Sequence, residues 1–265
     1  MKSNYRYIVK AFMAMAVIAG TTSCDDFLDR EPMSSISPET YYSTAAQLEA
    51  NLNDEYPNVL PSFGQWTYGI FGEDKGTDNQ IEVNANDRYT QDRWKVPHSE
   101  SDNWKFERIY RINFFLSEAL PKFGEDMSGS QNTISGSVAT IKHYIGEMYF
   151  LRAYEYFKKL QLFGDFPIIN QPLADEMEAL REASKRFPRN EVARFIISDL
   201  DKAYAYMSDV DMATTRINKD VAMLVKSRVA LFEATWLQNF KGTAFVPGGE
   251  GWPGASLHNN YQYPS

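Results

Sequence analysis

The sequence predicts an all-α protein built as an array of amphipathic helices. Apolar residues recur at helical spacings in several separate stretches, and capping residues or Gly and Pro stops mark the ends of these stretches. No stretch shows convincing strand alternation, although a short strand pair is conceivable around Ile168 and Ile169. With 265 residues, 43% of them apolar, the chain is long enough to form one or two domains with a real core.

The N-terminal residues are predicted to be a lipoprotein signal peptide. A basic start precedes the apolar run 11–20, which is about half the ~20 residues that a transmembrane helix needs. Small residues then lead to Cys24, the only cysteine in the chain. We therefore expect residues 1–23 to be removed and Cys24 to carry the lipid. An ordinary secretory signal is the alternative.

Charge and cysteine content exclude several classes of function. Loss of residues 1–23 would remove three basic residues and take the net charge from −8 to −11, which argues against binding to nucleic acid. A single cysteine rules out a disulfide framework and a cysteine-based zinc site. The histidines are scattered without the spacing of a metal motif, so we expect neither a metal nor a cofactor; they are His98, His143 and His258.

The helical domain is predicted over residues 38–242, after an anchor and linker segment over 24–37. Thr44 and Gln47 have the spacing of a capping box, so a helix is expected to follow them and to be ended by Pro57 and Pro61. Periodicity fades over residues 62–98, which are rich in Gly, Asp, Asn and aromatic residues. This composition predicts an ordered functional loop region.

Four later helices are predicted from the return of apolar periodicity. The strongest pattern lies at 138–163 and stops at Gly164, which can end a helix in a left-handed conformation. A Glu-rich connector without a predicted helix follows it. The other three helices are expected to run from near Trp104 to stops at Pro121 and Gly124, from about Asn190 to Met207, and from the N-cap Asn218 up to Gly242.

Small and aromatic residues in the 138–163 helix have a spacing known from tetratricopeptide repeats. Gly146 precedes Tyr149 by three positions, and Ala153 precedes Phe157 by four. In such repeats the small residue lets a neighbouring helix approach closely. A generic amphipathic bundle fits this pattern almost as well.

Charged residues within the predicted helices are expected to have structural roles. Glu147 and Glu155 could mimic a catalytic carboxylate pair, but nothing in the sequence places them across a cleft, and pairing with Arg152, Lys158 and Lys159 is expected instead. Arg152 and Arg228 lie within apolar stripes. Both are therefore expected to bridge helices or to form buried ion pairs.

Residues 146–167, with the sequence GEMYFLRAYEYFKKLQLFGDFP, resemble the central signature of the SusD/RagB family of surface lipoproteins from Bacteroidota nutrient-uptake systems. Four further segments resemble the family in the same order. They are CDDFLD at 24–29, WKFERIYRIN at 104–113, RNEVARFIISDL at 189–200 and AMLVKSRVALFEATW at 222–236.

The resemblance implies a tetratricopeptide-like array of four helix pairs, anchored to the outer membrane by the lipid at Cys24 and exposed on the cell surface. Asp25 and Asp26 would act as a surface-export signal. Members of the family bind a glycan, or in some cases a peptide, and deliver it to a SusC-like TonB-dependent transporter that they cap. They are not enzymes. A transporter-associated scaffold without its own ligand site and a surface glycoside hydrolase are the remaining alternatives.

Residues of the 62–98 loop region are the candidate ligand contacts, because the family builds part of its ligand site there and because sugars bind aromatic platforms flanked by polar groups. Trp94 and Tyr89 are the predicted platforms. Core packing of the aromatic rings and turn formation by the polar residues are the alternatives. The predicted hydrogen-bonding residues are Asp74, Asp78, Asn79 and Arg88.

Residues 243–265 are predicted to be the start of an incomplete C-terminal region. They are rich in Gly, Pro and aromatic residues and show little periodicity. Family members are usually longer, with a C-terminal half that packs on the helix array. We therefore expect the sequence to be truncated at its C-terminus and to contain only part of the ligand site.

Overall fold

The described part of the chain is helical. The computed structural model describes residues 41–61, 79–80, 103–124, 126–208, 212 and 215–261. Its helices are α1 (Ala45–Val59), α2 (Glu107–Phe123), α3 (Val138–Phe163), α4 (Met177–Ala183), α5 (Arg189–Tyr206) and α6 (Lys219–Asn239), followed by a 3₁₀ turn at Pro253–Ser256. Within these ranges there is no β-strand, which confirms the predicted all-α class.

Helix α3 is the centre of the array. It packs against α1, α2 and α5, and α5 in turn packs against α6. Seventeen of the 26 residues of α3 are buried, so the helix is covered on nearly every side and its strong apolar content reflects a core position. In the described ranges, no helix is both long and apolar enough to cross a bilayer.

Gly146 allows α5 to lie directly against α3. A Cβ atom at this position would be 2.8 Å from the backbone nitrogen of Met207 and 2.9 Å from the carbonyl oxygen of Ala203. Any side chain larger than hydrogen would collide with this backbone. The predicted role of the glycine in a close helix approach, as in tetratricopeptide repeats, is confirmed.

The predicted helix caps are present. Thr44 accepts a hydrogen bond from the backbone N–H of Gln47, and the Gln47 side chain accepts one from the backbone N–H of Thr44, which completes the capping box of α1. Asn218 caps α6 through the backbone N–H of Val221. Gly164, with φ of 69°, follows α3 as predicted.

Several predicted boundaries are wrong. Pro57 does not end α1 but lies in its last turn, since a proline φ is compatible with a helix and only one backbone hydrogen bond is lost. The second predicted stop, Pro61, lies two residues beyond the last helical residue, Val59. Trp104 precedes α2, which begins at Glu107. At the other end Pro121 lies inside the helix, while the predicted stop at Gly124 is its C-cap. Helix α4 lies in the Glu-rich connector and was not predicted, because its seven residues bury no side chain and produce no apolar periodicity.

The strand pair considered around Ile168 and Ile169 is not formed. One antiparallel bridge joins Phe166 and Phe187 nearby, with nitrogen to oxygen distances of 3.2 and 3.0 Å. The backbone of Ile169 instead bonds to the Tyr156 hydroxyl, and the Asn113 amide donates to the same carbonyl. These side-chain partners satisfy the groups that a strand would have used.

Arg152 forms the buried ion pair that the sequence predicts. Its Nε and Nη2 atoms lie 2.6 and 2.8 Å from the two carboxylate oxygens of Asp199 on α5. The guanidinium also donates to Asn113 of α2, at 2.9 Å. Three helices are thus joined by one buried polar cluster. The matching prediction for Arg228 is wrong, because that residue is exposed on α6.

Helix α6 presents much of its apolar surface to solvent. Its buried residues are Ala222, Val229 and Glu233. Leu224 and Leu231 are 71% and 67% exposed, whereas large apolar side chains in α3 are mostly buried. The helix therefore has one face on α5 and another face without cover in the described part of the chain.

Candidate functional site

Most of the residues predicted to bind ligand lie outside the described residues. These are Asp74, Asp78, Arg88, Tyr89 and Trp94, and the same holds for Cys24, Asp25 and Asp26. Asn79 is described and is exposed. All of these assignments stay predictions.

A cleft of about 530 Å³ lies where the end of α3 meets α5, α6 and the segment that follows α6. We call it the aromatic cleft, because aromatic rings from three parts of the chain line it together with three charged side chains. The residues that define it are Phe163, Asp165, Arg186, Arg189, Trp236, Phe245 and Trp252. Its volume falls in the range of small-molecule and sugar sites.

Arg189 fixes one wall of the aromatic cleft. Its guanidinium forms a bidentate pair with Glu233 of α6, with nitrogen to oxygen distances of 2.8 to 3.1 Å. The same guanidinium lies 4.1 Å from the centre of the Trp236 ring. Both Arg189 and Glu233 are buried. The N-terminus of α5 is therefore held against α6, and the orientation of the indole is fixed by the contact.

Asp165 also lines the aromatic cleft and comes directly after the Gly164 cap of α3. Its two carboxylate oxygens accept hydrogen bonds from the backbone N–H of Arg189, at 2.9 Å, and from the indole N–H of Trp252, at 2.7 Å. Burial raises the pKa of the Asp165 carboxyl above its ordinary value, and these two hydrogen bonds oppose that shift. The contacts tie the C-terminal segment to the end of α3.

Rings of the aromatic cleft differ in their accessibility. Trp252 is only 5% exposed and forms a wall, whereas Phe245 is 61% exposed and offers an open face. The indole N–H of Trp236 donates to the carbonyl oxygen of Phe245, at 3.1 Å, which positions the Phe245 backbone. Arg186 lies at the rim, 4.6 Å from the centre of the Trp104 ring.

This arrangement suits the binding of a ligand that has an apolar face and polar edges. Aromatic faces pack against C–H groups, while Asp165 and the arginines provide acceptors and donors for hydroxyl groups. Sequence reasoning missed this site because its residues are spread over about 90 positions, from Phe163 to Trp252. The only signal was the aromatic content of residues 243–265.

Glu147, one of the two carboxylates considered for catalysis, is not open to a ligand. Glu147 is fully buried and accepts hydrogen bonds from Arg216, at 2.7 and 2.8 Å, and from Tyr56, at 2.6 Å. The expected pairing of Glu147 with Arg152 is wrong, since Arg152 is engaged by Asp199. Among the described residues, no three His, Cys, Asp or Glu side chains are grouped in a way that could hold a metal ion.

The fold defines a helical-repeat protein, and a cleft of ligand size lies at the end of α3. Residues 26–231 match the SusD-like sequence family that is described as "Starch-binding associating with outer membrane". The chain belongs to this SusD-like family, and the resemblance found in the sequence is confirmed.

Curated relatives are similar over most of this chain but are longer. SusD-like protein P2 of Formosa agariphila is 25% identical over 91% of this chain and 46% of its own length. SusD-like protein P25 of the same organism is 25% identical over 81% of this chain and 41% of its own length. The chain therefore spans about half the length of the curated relatives that it matches.

A solved structure has the same fold. The crystal structure of a SusD-like carbohydrate-binding protein from Bacteroides fragilis is 18% identical, with a TM-score of 0.51, and the match covers 77% of this chain and 40% of that one. At this identity the comparison establishes the helical architecture.

Proposed function

We propose that this protein captures oligosaccharides at the outer membrane and delivers them to a TonB-dependent transporter of the SusC type. The observation that carries the proposal is the family match over residues 26–231, with its description of starch binding and outer-membrane association. The aromatic cleft adds a physical basis for the proposal. Sugars bind to exposed aromatic faces flanked by fixed polar groups, and the cleft offers the exposed ring of Phe245 beside such groups.

The ligand site is proposed to have two parts. One is the aromatic cleft, with Phe245 as its accessible platform. The other is the 62–98 loop region, where Trp94 and Tyr89 are the platforms. The hydrogen-bonding residues proposed there are Asp74, Asp78, Asn79 and Arg88.

Membrane attachment is proposed to depend on Cys24, the first residue after the signal peptide over 1–23. Incorporation of labelled fatty acid should be lost in Cys24→Ala and retained in a double variant Asp25→Asn, Asp26→Asn. The double variant should instead lose exposure to external protease, because the acidic pair is proposed to direct export to the surface. Lipid labelling of Cys24→Ala would contradict the anchor.

We propose that the protein does not catalyse a reaction on its ligand. Support comes from the carboxylates: Glu155 is buried and lies 2.6 and 3.3 Å from the ammonium groups of Lys158 and Lys159, the pairing expected from the sequence. Glu147 is similarly engaged by Arg216. Neither side chain is available to transfer a proton to a glycosidic oxygen.

A binding panel tests the proposal. The purified chain is titrated calorimetrically with neutral and acidic oligosaccharides and with unstructured peptides of similar mass. We expect saturable binding to at least one oligosaccharide, without release of shorter sugars. Binding to peptides alone would contradict the carbohydrate assignment and favour the peptide-binding alternative. If no member of the panel binds but the protein still captures the transporter, the result would favour a transporter-associated scaffold without its own ligand site.

A further inference from the structure

A second cavity, of about 310 Å³, lies between the start of α2 and the end of α3. Half of the residues that line it are basic, in contrast to a whole chain with a net charge of −8. We call it the cationic hollow and define it by Lys105, Arg108, Lys158 and Lys159. Two carboxylates, from Glu107 and Glu155, also line it.

The carboxylates do not neutralise the cationic hollow. Glu107 is bound by Arg111 of the next helical turn, at 3.1 Å. Glu155, which is 2% exposed, has three cations within 4 Å: Lys158 at 2.6 Å, Lys159 at 3.3 Å and Arg108 at 3.8 Å. One buried carboxylate is thus shared by three cations, and an excess of positive charge remains among the described residues that line the cavity.

The basic groups also retain hydrogen-bonding capacity. Lys158 and Lys159 each donate to one backbone carbonyl, of Val59 at 2.9 Å and of Asn103 at 2.7 Å, and each contacts Glu155. An ammonium group has three N–H donors, so within the described residues these contacts leave one N–H on each lysine for a ligand. Arg108 is 48% exposed, and within the described residues its ion pair with Glu155 is long. Its fork of donors suits a carboxylate or a sulfate.

Leu162 connects the two cavities. Its side chain lines both the aromatic cleft and the cationic hollow and is itself 58% exposed. A chain of sugar rings that packs in the aromatic cleft can therefore pass over Leu162 and bring a substituent to the cationic hollow. The two cavities are adjacent parts of one surface.

We propose that the ligand is an acidic oligosaccharide whose carboxylate or sulfate group binds in the cationic hollow while a neighbouring ring packs in the aromatic cleft. This inference rests on the proposed function, and it names the class of glycan. A uronic acid and a sulfate ester supply the same chemistry, which is an anion with several acceptor oxygens.

Calorimetric titration with three hexasaccharides tests the inference, one of glucose, one of galacturonate and one of sulfated galactose. We expect at least one acidic hexasaccharide to bind 10-fold or more tightly than the glucose hexasaccharide at low salt, and the difference to shrink as salt rises. Tighter binding of the galacturonate hexasaccharide would identify a carboxylate as the bound group, and tighter binding of the sulfated hexasaccharide would identify a sulfate.

Two charge-neutralising variants make the test specific. Arg108→Gln should reduce the preference for the acidic hexasaccharide several-fold and leave affinity for a neutral sugar unchanged. Arg228→Gln removes the same charge from an exposed position that lines neither cavity, and it should change nothing. Equal affinity for neutral and acidic sugars, unaffected by Arg108→Gln, would overturn the inference while leaving the proposed function intact. Absence of binding to every saccharide would overturn both.

Discussion

At Gly146 the backbone of α5 occupies the space that a side chain on α3 would need. In an ordinary helix, replacement of Gly by Ala stabilises by up to about 1 kcal/mol. Here the new methyl carbon would lie under 3 Å from Met207 and Ala203, so overpacking should prevail and Gly146→Ala should lower the free energy of unfolding by about 1–3 kcal/mol. Urea denaturation measures this value, and an equal or higher stability would contradict the close approach.

The buried hydroxyl of Tyr149 should make the free energy of unfolding depend on pH in the alkaline range. Burial of its ring on α3 raises the pKa of Tyr149 from 10.0 to about 12, although nearby Arg152 opposes the shift. Between these values the unfolded chain releases the phenolic proton and the folded protein keeps it, so the stability present below pH 10 is lost as pH rises toward 12.

Substitution of this hydroxyl isolates its effect. Tyr149→Phe should reduce the loss of unfolding free energy between pH 10 and 12 by up to ~1.4 kcal/mol per pH unit, as measured by urea denaturation at successive pH values. Tyr110→Phe changes an exposed tyrosine and is the matched control. Identical pH profiles for Tyr149→Phe and the unaltered protein would refute the prediction.

Between elements, the ion pair of Arg152 with Asp199 joins α3 to α5. Asp199→Ala would leave the guanidinium of Arg152 buried without its partner, which should cost ~3–5 kcal/mol of unfolding free energy. Asp201 lies two residues further on the same helix and pairs with Lys226 at the surface. Asp201→Ala should therefore cost no more than ~1 kcal/mol. Comparable losses in the two variants would contradict the structural role of the buried pair.

Elements with strong local signals could be predicted from the sequence. The capping box of Thr44 and the limits of α3 follow from short-range side-chain and backbone chemistry, and both are found. Helix α4 gives no such signal, because it buries nothing. The partner of Glu147 could not be predicted either, since Arg216 is 69 positions away and only tertiary packing joins the two.

The candidate site was harder to predict than the fold for the same reason. Phe163 ends α3, Arg189 begins α5, and Phe245 follows α6, so the aromatic cleft exists only after these elements have packed. Sequence composition indicated the kind of residues that bind sugars, and pointed to the 62–98 loop region. It carried no information on which distant aromatic residues would meet.

For the molecule as a whole, the family match and the observed helix array point to the same fold. The family match covers most of the helical domain predicted over 38–242, and the helix array found there is that of SusD-like proteins. The chain spans about half the length of its curated relatives. Ligand binding should therefore be measured on this chain directly.

The most direct measurement compares affinity for an oligosaccharide ligand between Phe245→Ala and Tyr110→Ala. Both rings are more than half exposed, at 61% and 51%, so neither substitution should unfold the protein, but only Phe245 lines the aromatic cleft. Calorimetry should give a 10-fold or greater loss of affinity for Phe245→Ala, about 1.4 kcal/mol, and no change for Tyr110→Ala. Unchanged affinity in Phe245→Ala, with loss of binding in Trp94→Ala, would contradict a sugar site in the aromatic cleft.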